Sequence, residues 1–190
     1  MRIIGGKLKN KKLHFPENLK TRPLKDSVRE NIFNILSHSN NVGINIKNSE
    51  VLDLYAGTGS FGLECVSREA SKVVFIENDL DALTNLKENI KNLNSENETV
   101  LLTQDVLEFL NLLTLEIYRE KFNIIFLDPP YQNKECVEVI KKIKKRELLN
   151  KKHIVVIHRE IKSEDRIDKY LNIIEKRIYG RSEIFFGRFF

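Results

Sequence analysis

From about residue 50 onward, short apolar runs alternate with segments whose apolar residues recur at helical spacing. The apolar runs contain no regular polar alternation, which indicates strands that are buried on both faces of a sheet. Strands of this kind, separated by helices, predict an α/β fold with a parallel sheet and helices on both faces. The predicted strands are 51–54, 72–76, 99–102, 122–127 and 153–157, and the predicted helices between them are 60–69, 79–93, 105–117 and 134–148.

The C-terminal region has a different pattern. Segments 172–179 and 183–189 are joined by Gly180-Arg181-Ser182, which predicts an antiparallel hairpin. Added to the five strands above, this hairpin would complete a mostly parallel, seven-stranded sheet.

The N-terminal region is basic, with apolar residues scattered among lysines and a likely turn at Gly5-Gly6. We interpret residues 1–24 as a small basic β-hairpin or arm, separate from a main domain over 25–190. A helix over 25–37 is expected to open the main domain, with Asp26 or Ser27 as its cap. The predicted inner face of this helix consists of Val28, Ile32, Ile35 and Leu36. The predicted inner face of helix 79–93 consists of Leu80, Leu83, Leu86, Ile90 and Leu93.

The net charge of +5 is concentrated near the N-terminus. Residues 1–30 contain nine basic side chains and three acidic ones, a local charge of +6, so the other 160 residues carry −1. A solvated lysine-rich tail would explain this, but the asymmetry favours contact with the phosphates of a nucleic acid. The predicted RNA-binding residues are Arg2, Lys7, Lys9, Lys11, Lys12 and Arg22.

Several other classes of protein are disfavoured. No apolar run approaches the length of about 20 residues that spans a bilayer, and lysines follow Gly6 where a secretory signal would be apolar. We therefore expect a cytoplasmic protein without membrane contact. Cys65, Cys136 and the four histidines lack the spacing of a metal site, so no metal is expected.

A glycine-rich loop directly follows the first predicted strand. Gly57, Gly59 and Gly62 fit the G-x-G-x-x-G pattern, which lets a ligand approach the backbone where a helix begins. The pattern alone also fits a nicotinamide-dependent oxidoreductase. We predict cofactor contacts from Tyr55, Ala56, Gly57 and Gly59.

Acidic residues stand at the ends of three successive strands, and they favour a cationic cofactor. Asp53 suits a sulfonium and an ammonium group rather than a pyrophosphate, and Glu77 can accept both ribose hydroxyls. Asp105 could accept from an adenine amino group, or it could simply cap the next helix. Together they predict S-adenosylmethionine, which would leave as S-adenosylhomocysteine.

The fourth predicted strand ends at Asp128-Pro129-Pro130-Tyr131. The prolines cannot continue a central strand and form a stiff loop with outward carbonyls. An exocyclic amino group on a base is a poor nucleophile, because its lone pair is delocalised into the ring. Acceptors at the Asp128 carboxylate and the Pro129 carbonyl would free that lone pair and stabilise the growing positive charge, while Tyr131 would stack on the base. These are the predicted catalytic residues.

Four blocks of the chain resemble the RsmD-like 16S rRNA guanine-N2 methyltransferase family. They are Arg2-Ile3-Ile4-Gly5-Gly6-Lys7, Arg22-Pro23 with Asp26-Ser27-Val28-Arg29-Glu30, Asp53 to Gly59 with Phe61-Gly62-Leu63-Glu64, and Phe126 to Tyr131. The chain departs from the family at Leu24, where a threonine is usual.

The resemblance implies a Rossmann-like class I methyltransferase fold, with a methyltransferase domain over 25–190 that uses S-adenosylmethionine. It further implies that a guanine of 16S rRNA, in an assembling or assembled small ribosomal subunit, is the acceptor. No oligomer is implied. The alternatives are an adenine-N6 methyltransferase of RNA or DNA, since the Asp-Pro-Pro-Tyr loop suits either amino group, and a non-enzymatic rRNA-binding assembly factor.

Overall fold

A single mixed sheet runs through the molecule. The computed structural model describes residues 1–15, 24–112, 121–130, 135–161, 163 and 165–189, and this part of the chain forms seven strands. They are β1 (Glu50–Leu54), β2 (Lys72–Glu77), β3 (Thr99–Thr103), β4 (Phe122–Leu127), β5 (Leu149–Glu160), β6 (Asn172–Tyr179) and β7 (Ser182–Arg188). The helices are α1 (Asp26–His38), α2 (Ser60–Ser67), α3 (Leu80–Asn92), α4 (Val106–Leu112) and α5 (Cys136–Lys145).

The strand order is β3-β2-β1-β4-β5-β7-β6. The first five strands are parallel, while β7 is antiparallel to both β5 and β6. This mostly parallel, seven-stranded order is the Rossmann-like arrangement that the family resemblance implied. The order reverses between β1 and β4, and in such sheets ligands bind at the carboxyl ends of the strands beside this reversal.

Successive residues of each central strand pack on opposite faces of the sheet. On one face, Val51 and Phe75 belong to a core formed with α1, α2 and α3. On the other, Leu52 and Val74 pack in a core with α4 and α5. Burial on both faces explains why these strands show continuous apolar runs rather than alternation.

Three aromatic rings link α1, α2 and β4 below the carboxyl edge. Phe61 stacks between Phe33 and Phe126, with ring centroids 5.0 and 4.0 Å apart. All three side chains are buried. Replacing a buried phenylalanine by alanine costs about 3–5 kcal/mol, so this stack contributes substantially to the stability of the packing between α1, α2 and β4.

Some local predictions were wrong. Lys25 occupies the cap position of α1 without a side-chain bond, and Asp26 is already helical and pairs with Arg29. Leu80 is the first residue of α3 and is 78% exposed, whereas the other predicted apolar positions of that helix are buried. Strand β5 begins at Leu149, four residues earlier than expected. Predicted helices 105–117 and 134–148 fall partly outside the described residues.

Among the helices that the structure describes, none has the length and apolarity needed to cross a bilayer.

Candidate active site

The carboxyl ends of β1 and β4 bring two predicted site residues to the point where the strand order reverses. Asp53 pairs in register with Phe126, and Leu54 with Leu127, so the chain leaves both strands side by side. The Asp128 amide lies 3.5 Å from the Leu54 carbonyl oxygen, which extends this pairing by one residue. The glycine loop after β1 and the proline loop after β4 therefore share one edge of the sheet.

The glycine loop has an unusual backbone. Tyr55 is left-handed with φ of 60°, a conformation that bulky residues seldom adopt, and such strain is typical of functional sites. Gly57 is also left-handed, with φ of 55°, and a Cβ added there would meet no atom within 4 Å. Gly59 is left-handed as well and precedes α2, while the Gly59 amide donates to the Ala56 carbonyl at 2.8 Å. The open space beside Gly57 can admit a ligand.

Glu77 is held rigidly beside this loop. Its Oε2 accepts from the Gly57 amide at 2.6 Å, and its Oε1 accepts from the amides of Asn78 and Asp79 at 2.8 Å each. A carboxylate has about four acceptor positions, so these three bonds fix its orientation and leave capacity for a ligand hydroxyl. Its role toward a ribose stays a prediction.

Asp53 lies deeper, with 1% of its surface exposed. Its Oδ2 accepts from the Gly62 amide at 2.9 Å, which ties the strand end to α2. Burial raises the pKa of Asp53 well above its ordinary value, and the nearby Asp128 and Glu77 carboxylates raise that pKa further against the effect of the Gly62 bond. Because Asp128 and Glu77 act on Asp53 through their negative charge, the same two carboxylates give this edge a negative potential that suits a cationic ligand.

Asp105 caps α4. Its Oδ1 accepts from the amides of Leu107 and Glu108 at 2.8 and 3.1 Å. This is the helix-cap interpretation that the sequence left open. Contact with an adenine amino group stays a prediction.

Asp128 is bonded to a residue that the sequence did not single out. Its Oδ1 lies 2.7 Å from Nδ1 of His158, whose side chain is nearly buried in β5. Because a carboxylate only accepts hydrogen bonds, Nδ1 of His158 carries the proton in this contact. Asp128 itself is 21% exposed at the side chain, so it remains accessible to a ligand.

Arg159 supports the proline loop from the same strand. Its Nη1 lies 3.5 and 3.4 Å from the carbonyl oxygens of Pro129 and Pro130, and its Nε donates to Asp165 at 2.6 Å. The Pro129 carbonyl, predicted to face the substrate, therefore has a buried cation beside it and keeps a second lone pair. Tyr131, the third predicted catalytic residue, lies outside the described residues.

The N-terminal segment forms a small hairpin, with a single antiparallel bridge between Arg2 and Lys12. Of its predicted RNA-binding residues, Arg2, Lys9, Lys11 and Lys12 are exposed, and Lys7 is exposed with an ion pair to Glu98 at 3.5 Å. Arg22 lies outside the described residues. Arg29 was counted in the basic excess of the N-terminal region, but it is fully buried, donates to the Arg2 carbonyl and to Asp26, and so faces no phosphate.

The described residues include no group of three or more His, Cys, Asp and Glu placed to hold a metal ion.

Comparison with known proteins identifies the family. The family model described as "Conserved hypothetical protein 95" matches residues 1–188. The "Ribosomal RNA small subunit methyltransferase D" of Buchnera aphidicola is 31% identical over 184 residues, covering 96% of this chain and 90% of the relative. The protein of that name in Escherichia coli K12 is 30% identical over 166 residues, covering 86% and 76%. The chain belongs to the RsmD-like family.

Solved structures agree with this family assignment. The structure of "Putative methyltransferase yhhF" from Escherichia coli superimposes with a TM-score of 0.81 at 26% identity, covering 99% of this chain and 97% of that one. A more distant structure, SMU.776, was solved with S-adenosylhomocysteine and shares the fold, with a TM-score of 0.65 at 12% identity. It is matched over 83% of this chain and 48% of its own.

His158 and Arg159 are the site residues that the sequence interpretation missed. Both directly follow the fifth apolar run, at the carboxyl end of a strand that is parallel and adjacent to β4. Asp53, Glu77 and Asp105 were predicted from their positions at strand ends. His158 and Arg159 carry the same signal, because they stand at the end of the fifth apolar run.

Proposed function

We propose that this RsmD-like protein transfers a methyl group from S-adenosylmethionine to the exocyclic N2 amino group of a guanine in small-subunit 16S rRNA. The observation that carries the proposal is the position of Asp128, partly exposed at the reversal of strand order beside the open glycine loop and oriented by His158. The names of the relatives in Buchnera aphidicola and Escherichia coli support rRNA of the small subunit as the acceptor.

The cofactor fits the residues at the edge of β1 and β2. Gly57 leaves the space through which a ligand can reach the backbone, and Glu77 is oriented to accept from a ribose. The Glu77 and Asp128 carboxylates beside the buried Asp53 contribute negative potential for a cationic group. When bound, S-adenosylmethionine supplies an activated methyl group on a positively charged sulfur, and it leaves as neutral S-adenosylhomocysteine.

Asp128 and Pro129 prepare the base. Oδ1 of Asp128 is occupied by His158, so its other oxygen is the natural acceptor for one N–H of the guanine amino group. The Pro129 carbonyl accepts the second N–H. These acceptors free the nitrogen lone pair to form the new N–C bond, and they stabilise the positive charge that develops on nitrogen. The methylated nitrogen then loses a proton to Asp128 or to water.

The hairpin supplies the contact with rRNA. We assign residues 1–24 to this contact and residues 25–190 to the methyltransferase domain. Exposed Arg2, Lys9, Lys11 and Lys12 present cations without acidic neighbours that pair with them among the described residues. Each lysine that neutralises a phosphate releases a counterion, so binding should weaken steeply with salt.

The decisive experiment is a methyl-transfer assay. The protein is incubated with labelled S-adenosylmethionine and small ribosomal subunits from cells that lack the modification, and the RNA is digested to nucleosides. We expect N2-methylguanosine. N6-methyladenosine would instead support the alternative acceptor, and no labelled nucleoside would refute the proposed transfer.

Two sets of variants test the residues. Asp128→Ala should abolish transfer, while Asp168→Asn, at an exposed aspartate far along the chain, should not change it. Charge reversal of Lys9, Lys11 and Lys12 to glutamate should weaken binding of the subunit and reduce its salt dependence. The matched control reverses Lys145, Lys151 and Lys152, which are exposed near the amino end of β5, at the edge opposite the site.

A further inference from the structure

One buried side chain joins the N-terminal hairpin to the cofactor loop. Asn89 lies in α3, and only 1% of its surface is exposed. Its Oδ1 accepts from the His14 amide at 2.6 Å, and its Nδ2 donates to the His14 carbonyl at 3.1 Å. The same Nδ2 donates to the Thr58 carbonyl at 3.0 Å. Thr58 stands between Gly57 and Gly59.

The chemistry of these three bonds requires an amide. One partner is an N–H donor and two are carbonyl acceptors, so the residue between them must both accept and donate. The assignment of oxygen and nitrogen in the Asn89 side chain follows from these partners. A buried carboxylate of the same shape would face two carbonyl oxygens without a proton to share, and an apolar residue would leave three backbone groups unsatisfied.

The position of His14 depends on the position of the hairpin. The neighbouring Leu13 is buried in the core, its amide donates to the Met1 carbonyl at 3.1 Å, and Lys12 bridges Arg2. A shift of the hairpin therefore moves His14, and Asn89 carries that shift to the Thr58 carbonyl. Conversely, a ligand that orders the glycine loop also orders His14.

We infer that Asn89 is a positioning residue that couples the two substrates: rRNA bound on the hairpin tightens cofactor binding in the glycine loop, and the cofactor tightens rRNA binding. This inference rests on the proposed function, because it takes the loop as the cofactor site and the hairpin as the rRNA contact. Such coupling is reciprocal by thermodynamic necessity.

Binding measurements on variants test the coupling. The Kd for S-adenosylhomocysteine is measured with and without small subunits that lack the modification. In the wild type, the subunit should lower this Kd by about fivefold or more. In Asn89→Asp the ratio should fall to about one, and the KM for the subunit should rise more than kcat falls. Asn92→Asp, on an exposed asparagine of the same helix, should retain the wild-type ratio.

Hydrogen exchange on the wild type gives a second test that does not depend on how well a variant folds. Adding S-adenosylhomocysteine should slow exchange of the His14 amide together with the amides of the glycine loop. Protection confined to the loop, or a wild-type Kd that the subunit does not change, would overturn the coupling while leaving the proposed function intact. Failure of S-adenosylhomocysteine to bind at all would overturn the proposed function and the coupling with it.

Discussion

Nδ1 of His158 and Oδ1 of Asp128 lie 2.7 Å apart across the neighbouring strands β5 and β4. The histidine is enclosed, whereas the aspartate is partly open to solvent, so the bond ties an accessible functional group to a rigid one. The bond occupies Oδ1 of Asp128 and restricts rotation of the carboxylate, which leaves Oδ2 as its second acceptor. Arg159 holds that loop from the next position of the same strand.

Loss of this bond should slow methyl transfer without impairing cofactor binding. A hydrogen bond to a charged group contributes about 1.5–3 kcal/mol, so we expect His158→Ala to lower kcat by about 10- to 100-fold. His158→Asn keeps a donor near the position of Nδ1 and should recover part of that loss. His38→Ala, at an exposed histidine, is the control. A fully active His158→Ala would contradict the positioning role.

The pH dependence of stability should reveal the burial of Asp53. Because the folded pKa of Asp53 is raised, the folded protein retains a proton that the unfolded chain releases above about pH 4. Stability should therefore decrease as the pH rises toward the folded pKa, by up to about 1.4 kcal/mol per pH unit from this group.

Asp53→Asn removes this effect, because the amide stays neutral and can still accept from the Gly62 amide. The variant should melt at a higher temperature than the wild type at pH 8, and the difference should shrink toward pH 4. If the difference in melting temperature between Asp53→Asn and the wild type were the same at every pH in this range, Asp53 would not be buried as described.

Alanine should act differently at two glycines of the G-x-G-x-x-G pattern, Gly57 in the loop and Gly62 inside α2. Gly57→Ala meets no neighbouring atom, so it should cost only about 1–2 kcal/mol of backbone strain while blocking the approach of the cofactor. Gly62→Ala would overlap the ring of Phe75 inside the core and should cost about 1–3 kcal/mol, and more if the helix cannot shift. Thermal unfolding and S-adenosylhomocysteine binding separate the two effects. Equal binding by Gly57→Ala and the wild type would exclude close backbone approach.

Glu64 should be essential for docking of the hairpin. This buried carboxylate accepts from the amides of Ile4 and Gly5 at 2.7 and 2.8 Å and from Nε of Arg68 at 2.9 Å. Glu64→Ala removes the hydrogen-bond acceptor of these donors, and each unsatisfied group costs about 1–3 kcal/mol. We expect a loss of about 3 kcal/mol or more in urea unfolding and faster trypsin cleavage at the hairpin lysines.

Glu69→Ala provides the comparison for Glu64→Ala. Glu69 pairs with Lys47 at 3.1 Å, but both side chains are 56% exposed. Exposed ion pairs contribute about 0–1 kcal/mol, so this variant should resemble the wild type. If the two variants lost equal stability, the hairpin would not depend on Glu64.

The sequence predicted the central sheet well, because short apolar runs that lie between helical segments are typical of strands buried on both faces. The predicted range 122–127 coincides with β4. Strand bounds were predicted less well where polar residues continue a strand. The polar Lys151 and Lys152 interrupt the apolar run of β5, so its first residues were not predicted. This part of β5 pairs with β4 through a register shift. The predicted helix cap at Asp26 was wrong because its carboxylate accepts a hydrogen bond from Arg29 rather than from the backbone amides at the helix start.

The contacts that attach the hairpin were invisible in the sequence. Glu64 and Asn89 are polar residues in helices, and an apolar periodicity assigns such residues to the solvent side. Their partners are backbone groups about 60 and 75 positions away, which leave no signature in residue type. Only the packed structure shows that these polar residues are buried.

The hairpin is attached by hydrogen bonds to its peptide groups and by the buried side chains of Ile3 and Leu13. Glu64, Ser67 and Asn89 bind main-chain atoms of Ile4, Leu8 and His14. The side chains of Arg2, Lys9, Lys11 and Lys12 are exposed. The groups that attach the hairpin are therefore different from the side chains that give it its positive charge. Substitutions among the exposed basic residues would leave these attachments intact, so this surface can change its charge while the scaffold that carries it stays constant.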